Sequence, residues 1–117
     1  AAPSTGLPAS SVGKVSARPV WELAADRVVR GRLVLLGDAA HMASPRTGAG
    51  AYTAMVDAVV LGRELAGGGT LGEALEGYND DTVGRGRDLY RRSRQAANNF
   101  APPGREVVSP ADIAQRR

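Results

Sequence analysis

The chain of 117 residues contains no cysteine. That excludes a disulfide framework, thiolate catalysis and any cysteine-based metal site. Aromatic residues make up only 4% of the sequence, so a core has to be built from Leu, Val and Ala. His41 is the single histidine and Lys14 the single lysine. No apolar run approaches the ~18 residues that span a bilayer, and the N-terminus lacks the basic region and apolar stretch of a secretory signal. A cytoplasmic protein with no membrane partner is therefore expected. Residue 1 is not a methionine, so it is not expected to be a true start.

Arginine accounts for almost all of the positive charge behind the net +3 and the isoelectric point near 9.9. Arg85, Arg87, Arg91, Arg92 and Arg94 cluster without the aromatic or Gly-rich pattern of a nucleic-acid recognition element. With Asp80, Asp81 and Asp88 nearby, they read as a solvated helix face, and no specific nucleic-acid partner is expected. Composition divides the chain into three parts. Residues 1–17, rich in Ala, Ser, Gly and Pro, are expected to be disordered or a linker. Residues 18–100 carry the apolar pattern, and residues 101–117, with Pro102, Pro103, Gly104 and Pro110, are expected to form a flexible tail.

Arg18 to Leu23 reads as a strand with Pro19 at its start. Gly31 turns the chain into Leu33-Val34-Leu35-Leu36, an unalternating run that predicts a strand buried on both faces. It ends at Gly37-Asp38, and a loop with Pro45 leads to Gly48-Ala49-Gly50. From Ala49 to Leu65 nearly every position is apolar, which predicts a buried helix that stops at Gly67-Gly68-Gly69. Thr70 and Glu73 then fit a capping box, opening a helix with Leu71, Ala74, Leu75 and Tyr78 on its apolar stripe. A further helix is expected from about Thr82 to Asn98. The fold class is α/β, with two or three strands followed by two or three helices. These elements are too few to cover both faces of the Leu33–Leu36 strand, so the fold is expected to be incomplete alone.

A carboxylate at the end of a buried strand, facing a helix N-terminus, is where open α/β sheets place a polar ligand. Asp38 has that position. Asp57 lies in an apolar helix and needs a partner if buried, so a structural role against the turn or a neighbouring Arg is expected. His41 has no Ser or Cys nucleophile around it, which favours a structural hydrogen bond over general-base chemistry.

Gly37-Asp38-Ala39-Ala40-His41, Pro45, Gly48-Ala49-Gly50 and Asp57-Ala58, with Arg32 before the strand, resemble the second FAD-binding motif of FAD-dependent aromatic-ring monooxygenases. These are enzymes of the para-hydroxybenzoate hydroxylase type. Trp21-Glu22-Leu23 and the run from Gly31 to Gly50 are especially similar to members acting on hydroxylated pyridines. The resemblance covers residues 18–95. It implies the C-terminal part of a Rossmann-like FAD-binding domain, in an enzyme that hydroxylates a small aromatic substrate with O2 and NADH or NADPH. It implies that Asp38 accepts hydrogen bonds from the ribityl chain and that Gly37 lets the chain pass close to the cofactor. Pro45 would line the flavin ring, with Gly48 in the turn beyond it. Gly50, Ala51 and Tyr52 would offer backbone N–H groups to the pyrimidine edge of the flavin. Arg46 is left between a substrate or cofactor contact and a plain surface arginine.

Two departures accompany this resemblance. Many members carry Asn where this chain has Tyr52, and the Gly-x-Gly-x-x-Gly turn that holds the pyrophosphate is absent. The missing parts would come from the N-terminal remainder of the FAD and substrate domains, or from a second chain; the chain alone would bind FAD weakly or not at all and would be inactive. A non-catalytic scaffold or interaction module derived from such an enzyme is the alternative reading, with a basic-helix nucleic-acid binder behind it.

Overall fold

A computed structural model describes Gly13, Ser16 and residues 18–100. Apart from Gly13 and Ser16, the proposed lead-in over 1–17 and the tail over 101–117 lie outside the described residues. Four two-residue strands come first: β1 (Leu23–Ala24), β2 (Val29–Arg30), β3 (Leu33–Val34) and β4 (His41–Met42). Short 3-10 turns occupy Gly37–Ala39 and Pro45–Thr47, and two helices follow, α1 (Gly50–Ala66) and α2 (Leu71–Phe100). The result is an α/β arrangement of short antiparallel strands followed by helices, in keeping with part of a larger α/β domain. No described helix is long and apolar enough to cross a membrane.

β1 pairs antiparallel with β4, Leu23 opposite Met42 and Ala24 opposite His41. β2 and β3 form a hairpin, Val29 opposite Val34 and Arg30 opposite Leu33. Its two-residue loop is Gly31-Arg32, and only Gly31 has positive φ, at 60°. Glycine at the first loop position with an ordinary second residue is the pattern of a type II′ turn, whose twist matches the flanking strands.

Both strand expectations change in detail. Of Arg18–Leu23 only the end is paired, since β1 begins at Leu23. Leu33–Leu36 is not a strand buried on both faces: β3 is two residues long, and Leu33 and Leu36 are exposed. The physical reason is the tight Gly31 turn, which folds the run back on β2 as a hairpin rather than sending it through the middle of a sheet.

Two-stranded pairs are marginal by themselves; here α2 holds them. The helix is one continuous element of 30 residues, about 45 Å long at 1.5 Å per residue, instead of the two helices expected on either side of residue 80. Asn79 stays helical because its side-chain oxygen is used outside the helix, accepting the N–H groups of Val28 (3.0 Å) and Val29 (3.3 Å). Tyr78 donates its hydroxyl to the carbonyl of Leu35 at 2.8 Å. The Ser93 hydroxyl accepts the N–H of Ser44 at 2.7 Å and donates to Glu22. Thus the polar side chains of one helix satisfy backbone groups that short strands leave open. Around them Val28, Val29, Ala40, Leu75, Tyr78 and Val83 form the core.

The expected capping box is present. The Thr70 hydroxyl accepts the N–H of Glu73 at 3.2 Å, and Glu73 accepts the N–H of Thr70 at 2.8 Å. Helix α1 also stops where expected, with the N–H of Gly67 bonded to the carbonyls of Arg63 and Glu64. Its surroundings differ from the expectation of a fully buried helix: Tyr52, Met55, Val59 and Leu65 are exposed. Only α2 and the Gly37–Ala39 turn pack on α1 to any extent among the described elements, so one stripe is covered and the rest of an apolar surface is not.

Candidate functional site

The Gly37–Ala39 turn follows directly on the hairpin. Leu36 is extended, and Gly37 then takes φ 60°, in the left-handed region. A side chain at Gly37 would be strained by that φ and would bring its Cβ to 3.3 Å from the Cβ of Ala54 on α1. The turn is closed by the N–H of Ala40 on the carbonyl of Gly37 at 2.9 Å. Gly37 itself is buried, whereas Asp38 at the apex is exposed. Among the described residues the Asp38 carboxylate has no hydrogen-bond or ion-pair partner, so its acceptor oxygens are open to a ligand.

The second turn, Pro45–Thr47, leads into α1. The Ser44 hydroxyl accepts the N–H of Arg46, and its carbonyl accepts both the N–H and the hydroxyl of Thr47. Gly48 closes the turn with φ 61° and its N–H on the carbonyl of Pro45. Pro45 and Arg46 are exposed, and the Arg46 guanidinium lies 5.3 Å from the ring centroid of Phe100. This is a cation–π contact between the loop and the end of α2.

α1 opens without a capping side chain and without an acidic residue in its first turn. The N–H groups of Gly50, Ala51 and Tyr52 precede the first intrahelical bond, from Thr53 N–H to the Ala49 carbonyl at 2.9 Å. Helix-end N–H groups and the helix dipole together favour negative charge. Nothing lies within 4 Å of where a side chain on Gly48 or Gly50 would project. Tyr52 points outward, 69% exposed.

The structure thus sets the Gly37–Ala39 turn against α1 at Ala54 and Asp57, about one and two helical turns in from Gly50. Pro45 and Gly48 lie on the segment that runs into that same helix. Behind the turn is a buried polar group. Asp57, fully buried, accepts the N–H of Gly37 at 3.1 Å and faces Nε2 of His41 at 2.5 Å through one oxygen. Its other oxygen accepts Arg85 Nε at 3.1 Å and Nη2 at 3.0 Å. An ionised carboxylate only accepts, so Nε2 of His41 carries the hydrogen, and buried Nδ1 is left without a described partner. The contacts expected of Asp57, with the turn and with an Arg, and the hydrogen bond expected of His41 are present. Burial alone would lower the Arg85 guanidinium, but its hydrogen bonds to Asp81 and Asp57 outweigh that and hold it above its ordinary range.

Arg85 corrects one expectation. Of the arginines placed on a solvated face, Arg85 turns inward and Arg94 is half-buried against Glu22, while Arg91 pairs with Asp88 and Arg87 with Asp26 at the surface. Arg85, Ser93 and Gly86 were not recognisable as contributors from the sequence pattern. Asp57 was the available signal, because a buried carboxylate on α1 requires a cation from another element. Gly86 leaves room for the histidine: a Cβ there would lie 3.2 Å from the Cβ of His41.

Residues 4–93 match a family model described as FAD binding domain. Over 69 residues the chain is 44% identical to the FAD-dependent urate hydroxylase of Klebsiella pneumoniae subsp. pneumoniae, a match covering 59% of this chain and 18% of that protein. It is 50% identical over 56 residues to the salicylate hydroxylase of Pseudomonas putida, covering 44% of this chain and 13% of that one. It is 41% identical over 75 residues to the 3-amino-4-hydroxybenzoate 2-monooxygenase PtmB3 of Streptomyces platensis, covering 62% and 19% respectively. The chain therefore spans less than a fifth of the length of these relatives. No solved structure matches it significantly.

Proposed function

The chain belongs to the FAD-binding domain family, and from that membership we propose that it is the C-terminal flavin-binding segment of an aromatic-ring monooxygenase. The observation that carries this reading is that the Gly37–Ala39 turn packs on α1, with Asp38 exposed at its apex without a described partner and with no capping side chain at the helix start. Asp38 offers acceptors for hydroxyl groups, and the helix start offers N–H donors and a positive dipole end. These two features fit a flavin, whose ribityl chain is rich in hydroxyls and whose pyrimidine edge becomes anionic on reduction.

In this reading Asp38 accepts hydrogen bonds from the ribityl chain, and Gly37 brings the backbone close enough for that. Pro45 and Gly48 shape the wall beside the ring. Gly50, Ala51 and Tyr52 donate backbone N–H groups to its pyrimidine edge, stabilising negative charge without a protonation step. Tyr52, in place of the Asn common among aromatic hydroxylases, serves through its N–H, since its side chain projects outward. FAD, when bound, supplies the redox and oxygen-transfer chemistry; the protein supplies orientation and electrostatics. NADH or NADPH and O2 are the co-substrates proposed for the complete enzyme, and a small electron-rich ring its substrate.

The chain alone is proposed to be inactive and to act in the cytoplasm with the N-terminal remainder of the FAD and substrate domains, or with a second chain. The exposed apolar side of α1 and the absent pyrophosphate turn support that dependence. The test is the flavin absorbance spectrum of the purified chain with and without FAD, with circular dichroism on the same sample. A flavin band perturbed by the folded chain supports the reading. A folded chain that leaves the spectrum of added FAD unchanged both alone and together with the N-terminal remainder of the domain favours the scaffold alternative.

A further inference from the structure

Asp57 divides its two oxygens between two tasks. Oδ1 is given wholly to Arg85, and Oδ2 wholly to Gly37 N–H and His41. A carboxylate needed only to balance Arg85 would not require the second set. Arg85 also has Asp81 and the Thr82 hydroxyl as partners. Gly37 N–H, in contrast, has no other described acceptor, and it belongs to the residue immediately before Asp38. That amide is buried, so losing its acceptor leaves it unsatisfied and the turn free to re-orient.

We infer that Asp57 is a positioning residue for the flavin-binding turn, acting through Gly37 N–H, with Arg85 supplying the counter-charge that lets the carboxylate stay buried. The inference rests on the flavin reading of Asp38. The carboxylate touches no ligand itself. It ties the turn and β4 to both helices, so the apex residue projects from a fixed base.

The experiment uses the full chain and three variants, each well below its melting midpoint: Asp57→Asn, Asp38→Ala and, as a control, Asn79→Ala. Asn79 holds β2 to α2 through Val28 and Val29, so its loss lowers stability without touching the turn. Amide exchange at Gly37 reports the order of the turn, and FAD-induced amide shifts in NMR spectra report affinity. Asp57→Asn is expected to speed Gly37 exchange and to weaken FAD binding, each by about tenfold, the worth of one hydrogen bond to a charged acceptor. Asn79→Ala is expected to lower the melting midpoint and change neither readout. Unchanged Gly37 exchange or unchanged affinity in a folded Asp57→Asn chain overturns the inference, as does an Asn79→Ala chain that behaves the same way. If Asp57→Asn does not fold, Arg85→Gln removes the counter-charge that keeps the carboxylate buried beneath the turn. Faster Gly37 exchange with weaker FAD binding then supports the inference, and no change in either overturns it. If the parent chain gives no FAD-dependent shifts, the flavin reading is decided with the N-terminal remainder present, and Gly37 exchange alone decides whether Asp57 fixes the turn.

Discussion

Replacing Tyr78 by Phe removes one hydroxyl and keeps the ring in the core. The side chain is fully buried, and its hydroxyl donates to the carbonyl of Leu35, two residues before the Gly37 turn, at 2.8 Å. The N–H of Leu35 is already engaged with Val28 at 2.8 Å, so the carbonyl loses its described partner when the hydroxyl goes. Leaving a largely buried acceptor unsatisfied costs about 1–2 kcal/mol. For a unit of this size that lowers the melting midpoint by roughly 5–15 °C. A second signature lies in pH. Burial raises the Tyr78 phenol above its ordinary 10.0, against the opposing hydrogen bond from Thr82. The unfolded chain therefore releases this proton first as pH rises. The stability associated with the protonated phenol is complete below pH 10.0 and is lost from there toward the raised folded value. The Phe variant lacks that loss, so the gap between the two proteins is expected to narrow above pH 10. Melts followed by circular dichroism, at neutral pH and in steps above 10, test both parts. Equal midpoints at neutral pH, or a gap that widens with alkali, would refute the reasoning.

Two glycines of α2 are expected to respond oppositely to alanine. At Gly84 nothing lies within 4 Å of the new Cβ, so the gain in helix propensity, about 0.5–1 kcal/mol, stands alone. At Gly86 the Cβ meets buried His41 at 3.2 Å, and an overpacking cost of about 1–3 kcal/mol outweighs that gain. Urea unfolding midpoints should rise for Gly84→Ala and fall for Gly86→Ala. The N–H and then the hydroxyl of Thr70 hold the Glu73 carboxyl below its ordinary 4.5. Its contribution is present above that pH and lost as pH falls through the lowered value. Glu73→Gln should remove this part of the acid dependence, read as a flatter plot of melting midpoint against pH below 4.5.

What the sequence made legible was mostly local chemistry. The Gly37-Asp38 turn, the Gly67 stop and the Thr70–Glu73 box each depend on residues a few positions apart, and each is present in the structure. The partner of Asp57 was foreseeable as an Arg or a turn, and it has both. The long-range features were not visible. One helix was expected through Tyr78 and a further one from about Thr82, and the Asn and Asp side chains between them are of the kind that competes with the backbone. In the fold Asn79 serves β2 and Asp81 pairs with Arg85 four residues on, which removes that competition. Leu33–Leu36 read as an interior strand because an apolar run carries no information about which elements cover it. The same holds for α1, whose uniform apolarity exceeds what the described elements bury.

The most direct test of the account is an amide NMR titration of the chain with FAD, which registers even weak binding. The account predicts shifts concentrated at Gly37, Asp38 and Gly48 to Tyr52, abolished by Asp38→Ala while the fold persists. Shifts confined to the arginine-rich end of α2, or shifts that persist unchanged in the Asp38→Ala chain, would contradict it.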